Sequence, residues 1–154
     1  MRKSPQKTAK GSERRATDRA LRLWDDMRQD EPLPRLGDIS DQAQGGDWAN
    51  LLLVRLDQFL ANSVVIACGA AARAALELSQ LGDTLLRALP SAIAEKICAA
   101  IRKVMEKQQP ERVEGSYTRA DGTVVRFRSI FLPVTDAAAR PDYVMCAFSS
   151  DLKA

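Results

Sequence analysis

Chemistry in this chain has few residue types to work with. Histidine is absent from all 154 positions, which removes a Ser-His-Asp triad, a His-bound haem, most zinc enzymes and a phospho-accepting histidine, since each needs an imidazole. Three cysteines remain, Cys68, Cys98 and Cys146, odd in number, scattered and flanked by apolar residues. That pattern predicts reduced core thiols of a cytoplasmic protein rather than a disulfide or zinc framework. The carboxylates best placed for acid–base work are Glu114, in a strand-like run, and Asp57, yet neither has a visible partner for that chemistry.

Charge is the next resource. The net +3 is unevenly spread: residues 1–22 hold eight Lys/Arg against Glu13 and Asp18, so the basicity belongs to the N-terminal tail and the remainder is net acidic. Such a tail could touch nucleic acid or an anionic surface, but Ser, Gln and Thr dilute it and no aromatic stands ready for base stacking, so a solvated leader is the simpler reading. The longest apolar run, 63–72, is about half of what a bilayer span requires, and no apolar segment follows the basic start as a secretory signal demands.

The elements that must position these residues centre on 113–148. Asp121-Gly122 predicts a tight hairpin. A two-residue turn puts Ala120 opposite Thr123, Ser116 opposite Phe127, Tyr117 opposite Arg126 and Val113 opposite Ile130. Alternation gives one face to Val125, Phe127 and Phe131 and the other to Arg126, Arg128, Ile130 and Leu132, so something apolar should cover the far part of that second face. Pro133 is expected to end the strand, and 136–140 to form a loop. In 143–148 neither alternating set is strongly polar, as in a central strand buried on both sides.

Upstream, residues 1–12 read as a disordered basic leader. A helix follows from near Glu13 to Gln29, capped by Ser12, with Ala16, Ala20, Leu23, Trp24 and Met27 at helical spacing. It must bury Trp24 on its own sheet, against a second copy, or both. Glu31-Pro32-Leu33-Pro34-Arg35 breaks it and opens a connector, so that 13–47 holds helix and connector. Strands are expected over 48–60 and 63–68 with a turn at Asn62, then helices over 70–80, around Leu85–Leu89, and from a Ser91 cap to Pro110 with Ile93, Ile97, Ile101 and either Val104 or Met105 on one face. This order makes an α+β fold with helices on one face of an antiparallel sheet and an added N-terminal amphipathic helix.

The order of elements over 48–152 resembles a PAS domain. Trp24-Asp25-x-x-Arg28, Leu33-Pro34-Arg35-Leu36-Gly37-Asp38-Ile39, Gly115-x-Tyr117, Arg128-Ser129-Ile130-x-Leu132-Pro133 and Asp142-Tyr143-Val144 are similar to a bacterial PAS family whose members often stand alone. The resemblance implies a five-stranded antiparallel sheet of order 2-1-5-4-3 and a pocket between sheet and long helix. Matching pocket positions would be Val65, Ile93, Ile97, Ile101, Phe127, Ser129, Phe131, Cys146 and Phe148, which any core would also need. It implies a non-catalytic sensory or regulatory module in signal transduction, a homodimer acting through a signalling protein partner. No cofactor is predicted; a small organic ligand could modulate the contact. Interface candidates are Trp24, Met27, Arg126, Arg128, Ile130 and Leu132. None of the cysteines lies in the Asn-Cys-Arg-Phe-Leu-Gln type motif of flavin photoreceptors.

Two other classes fit less of the chain. A sheet curled round a pocket also describes the nuclear-transport-factor-like fold, whose enzymes use a pocket Asp or Glu as base, which would cast Glu114 or Asp57 in that role. Nucleic-acid binding through the leader would need phosphate contacts and a steep salt dependence.

Overall fold

A computed structural model describes residues 8–42, 45–78, 81–136 and 142–153. Helix α1 (Thr8–Arg28) and the short α2 (Leu36–Gln42) precede strands β1 (Leu51–Arg55) and β2 (Val64–Cys68). Helices α3 (Ala70–Leu76), α4 (Leu85–Ala88) and α5 (Ser91–Lys107) then lead into β3 (Glu111–Thr118), β4 (Val124–Val134) and β5 (Tyr143–Lys153). All five strands form one antiparallel sheet of order β2-β1-β5-β4-β3. No helix among the described residues is long and apolar enough to cross a membrane.

Because successive strand residues point to opposite faces, the sheet carries two cores. Leu52, Val54, Val65, Tyr117, Phe127, Phe131, Cys146 and Phe148 face inward onto α3, α4 and α5, where Ile93, Ile97, Ile101 and Val104 form the buried stripe that their spacing predicts. Leu51, Leu53, Ile130, Leu132, Met145 and Ala147 face outward and are covered by Ala20, Trp24 and Met27 of α1 and Ile39 of α2. β5 is thus central and buried on both sides. A bulge between Leu53 and Val54 in the β1–β2 register brings both Val65 and Cys68 to the inner face, although an odd spacing would otherwise separate them.

Several boundaries differ from expectation. α1 starts at Thr8, so Ser12 lies inside it rather than capping it, and the leader expected over 1–12 is left with 1–7, outside the described residues. Trp48 belongs to a 3-10 turn, Gly45–Asn50, not to β1. That turn crosses so close to Gly69 that a Cβ there would collide with the Trp48 carbonyl. α5 is preceded by Pro90, with Ser91 its first residue. The 79–80 end of the expected third helix and most of the 136–140 loop lie outside the described residues.

The hairpin register is one residue off the expected one. Tyr117 pairs with Val125, Ser116 with Arg126, Gly115 with Phe127 and Val113 with Ser129. Arg119 N–H bonds the Thr123 carbonyl at 2.8 Å, Gly122 has φ +91° and Asp121 accepts the Thr123 N–H at 2.9 Å. This is a three-residue loop ending in a left-handed glycine, for which Asp-Gly serves as well as for a two-residue turn. A one-residue slip turns every β3 side chain over. Tyr117 therefore faces the inner core, and Glu114 the outer face beside Arg128.

Pro133 does not end β4; it pairs with Val144 inside the strand. β3 has already stopped at Glu111, opposite Phe131, so beyond that point β4 has a free edge on which a missing N–H costs nothing. Two segments close this edge. Trp24 Nε1–H donates to the Pro133 carbonyl at 2.8 Å, and the connector adds Thr135 N–H to the Pro34 carbonyl at 3.0 Å and Leu36 N–H to the Thr135 carbonyl at 2.9 Å.

Candidate functional site

Eight of the nine pocket positions lie in the inner core between the sheet and α3–α5, and Ser129 is buried beside them on β4. Each is nearly or wholly buried, and Phe127 and Phe148 stack with ring centroids 5.1 Å apart. Ser129, the polar member, donates its hydroxyl to the Val113 carbonyl at 2.9 Å, so its polarity is spent on the sheet. Concavities among the described residues lie beside α1 and along β3 and β4, where Glu114, Gly115, Ser116, Arg126 and Phe127 are among the lining residues.

Sequence reasoning missed the groups that fasten this layer. Tyr117, misplaced by the register, sends its hydroxyl to the Ala75 carbonyl at 2.9 Å. Arg119 donates Nη2–H to the Ala75 carbonyl at 3.3 Å and pairs through Nε with Glu77 at 3.5 Å. Together they satisfy the C-terminal carbonyls of α3, where Glu77 turns the chain at φ 53°. Burial raises the Tyr117 hydroxyl pKa despite the neighbouring Arg119. The signal was present in the spacing of Tyr117 and Arg119, which share a face at period two, but only the correct loop length reveals which face.

The thiols are quiet. Burial pushes Cys68 up to about 11 and raises Cys98 and Cys146 as well. Cys68 and Cys146 flank Leu52 in the ladder, hence about 10 Å apart at Cα by strand spacing, beyond disulfide reach. Among the described residues no three of His, Cys, Asp and Glu gather in metal-binding geometry.

On the outer face, four of the six interface candidates are already occupied. Trp24, Met27, Ile130 and Leu132 are at most 6% exposed, packed against one another within the chain. Arg28 stacks over the Trp24 ring at 5.4 Å while its guanidinium holds Asp25 at 2.8 Å. Arg128 pairs with Glu114 at 2.8 Å. Arg126 is exposed and has no hydrogen-bond or ion-pair partner among the described residues. Glu114 is therefore an exposed half of an ion pair, and Asp57 accepts the Phe59 N–H in a turn at 3.0 Å. Neither carboxylate reaches the inner pocket, the place a pocket base would occupy.

No protein-family profile matches the sequence, and no curated protein does. Solved structures do match in fold. The Vibrio cholera VqmA–ligand–DNA complex superposes with a TM-score of 0.53 at 19% identity over 75% of this chain and 50% of that one. VqmA bound to DPO gives 0.52 at 18%, over 73% and 55%. The PAS domain of a protein from Colwellia psychrerythraea gives 0.52 at 14%, over 73% of this chain and 96% of that one. The chain thus spans about half the length of the VqmA chains and nearly all of the Colwellia domain. With the strand order 2-1-5-4-3 and the helices on its inner face, this chain has the PAS fold.

Proposed function

We propose that this PAS-fold chain is a non-catalytic sensory or regulatory module, a cytoplasmic homodimer that contacts a signalling protein, with a small organic ligand between sheet and α5 modulating the contact. The observation that carries the reading is the pair of cores sharing the same strands. Phe131 touches the inner core while Ile130 and Leu132, its chain neighbours, lie under α1; Cys146 stands likewise between Met145 and Ala147. A ligand that moved Phe127, Phe131 or Phe148 would shift the floor on which α1 rests, favouring one packing of that helix over another. Trp24, Met27, Ile130 and Leu132 then act from within, as the coupling between pocket and surface, and Arg126 and Arg128 act at the surface itself. Similarity to VqmA, whose structures are described with ligands, supports a ligand in the inner layer.

Native mass spectrometry of protein purified from its own host, at low and high activation energy, tests this. A dimer with a reproducible extra mass is the expected result and gives the ligand's weight. A dimer without one favours an adaptor whose core is filled by its own rings. A monomer that retains nothing sinks the reading.

A further inference from the structure

One side of β3 is unused. The Arg119–Thr123 hairpin bond and the β3–β4 register fix which residues face β4. Val113, Gly115 and Tyr117 direct their backbone groups to it, so Arg112, Glu114, Ser116 and Thr118 direct theirs outward. Those outward groups make no backbone hydrogen bond among the described residues. An exposed edge of this length is ordinarily interrupted by proline, a bulge or a covering segment; 111–118 has no proline, pairs without a bulge, and stands in contrast to the closed edge of β4. Beside it lies an open concavity of about 410 Å³ lined by Glu114, Gly115, Ser116 and Arg126, which makes no ion pair among the described residues.

We propose that β3 pairs antiparallel with β3 of a second copy about a two-fold axis at Gly115, joining two five-stranded sheets into one. This rests on the reading of the module as a homodimer and supplies its contact. Hydrogen bonding requires that outward residues meet outward residues. With the axis at Gly115, Arg112 meets the partner's Thr118 and Glu114 meets the partner's Ser116, and every outward N–H and C=O from 112 to 118 is paired. With the axis at Glu114, that carboxylate faces its own copy. With the axis at Val113, Thr118 is left over and Pro110, which has no N–H, enters the ladder.

Charge selects the same register. The row crossing the joint on the outer face reads Arg128, Glu114, the partner's Ser116, the partner's Arg126. The two ends of the Glu114 to partner's Arg126 span lie about 10 Å apart at Cα, with only a serine between them, so a guanidinium that makes no ion pair among the described residues, although Asp151 stands across from it in the ladder, reaches a carboxylate of the other copy. The contact is isologous, each copy giving and receiving the same pair. Gly115 at the axis adds no side chain between the copies, and a Cβ there would only touch its own Phe127 ring at 3.4 Å.

Sedimentation velocity and amide hydrogen exchange of the full chain, at low and high protein concentration, test the assignment. The expected result is a dimer in which the amides of Arg112, Glu114, Ser116 and Thr118 become protected as the protein associates, while those of Val113, Gly115 and Tyr117 are protected throughout. Ser116→Pro deletes an outward donor without touching the β3–β4 ladder, and should give a monomer with unchanged far-UV circular dichroism. Arg126→Glu should weaken dimerisation by about tenfold or more. A dimer that persists in Ser116→Pro with the three remaining outward amides, those of Arg112, Glu114 and Thr118, still exchanging freely overturns the edge contact and leaves the homodimer reading standing. A monomer at every concentration, or outward protection that needs an added protein, overturns both. An Arg126→Glu dimer of undiminished affinity overturns the register.

Discussion

Trp24 does two jobs that a smaller aromatic would split. Its ring fills the outer core and its Nε1–H meets the Pro133 carbonyl, on the β4 edge that β3 does not reach. Trp24→Phe keeps most of the packing and orphans that carbonyl, so urea unfolding should register a loss of about 1–3 kcal/mol. No measurable change would mean that another donor satisfies the carbonyl. Cys68 makes a second residue-scale prediction. With its thiol pushed up to about 11 from 9.0, its thiolate fraction near neutral pH falls about a hundredfold, and iodoacetamide labelling followed by mass spectrometry should be slower than for a free thiol by about that factor. Labelling at the free-thiol rate would show that the site opens readily.

At the scale of elements, α1 and the connector behave as part of the sheet rather than as an appendage. They cover Leu51, Leu53, Ile130, Leu132 and Met145 and close the edge of β4. A chain beginning at residue 32 keeps Pro34 and Leu36 on the β4 edge but would expose that apolar face and the Pro133 carbonyl together, and light scattering should detect aggregation where the full chain stays dispersed. A truncated chain that remained monomeric and folded would separate α1 from the fold. Some of this was legible beforehand. The stripe of Ile93, Ile97, Ile101 and Val104 names its helix because a period of 3.6 admits one buried face, and the absence of a polar set in 143–148 marks the central strand. The hairpin register was not legible, since Asp-Gly suits loops of two and of three residues, and with it went the faces of Tyr117 and Glu114. Nor was the survival of Pro133 inside β4. That depends on β3 stopping early and on Trp24 and Pro34 arriving from 109 and 101 residues away, contacts that no local pattern encodes. The pocket positions lie on the inner side of the sheet, while the stacking of Phe127 on Phe148 is a property of packing that no local pattern encodes.

For the whole molecule, the buried thiols and Tyr117 set the response to alkali. Cys68, Cys98, Cys146 and Tyr117 all have pKa values raised by burial, so the folded state holds these protons more tightly than the unfolded chain. Below the unfolded values both states are protonated and stability does not depend on them. As pH rises from 9.0 through the Cys68 value of about 11 the unfolded chain ionises first, and stability falls. The urea midpoint should therefore be level up to about pH 8.5 and decline above it, with Cys68→Ala removing part of the decline. A midpoint that climbed with pH in that window would contradict the burial of these groups.

The closed edge of β4 also has a meaning in time. Pro133 follows Trp24 by 109 residues, and at about 5–20 residues per second a ribosome needs roughly 5–20 s to deliver the partner that α1 waits for. β5, which joins β1 to β4, is later still. Until then the nascent chain carries an amphipathic helix with nothing to lie on and a first hairpin with no sheet to join. The topology of the sheet thus lets it close only once β5 has been made.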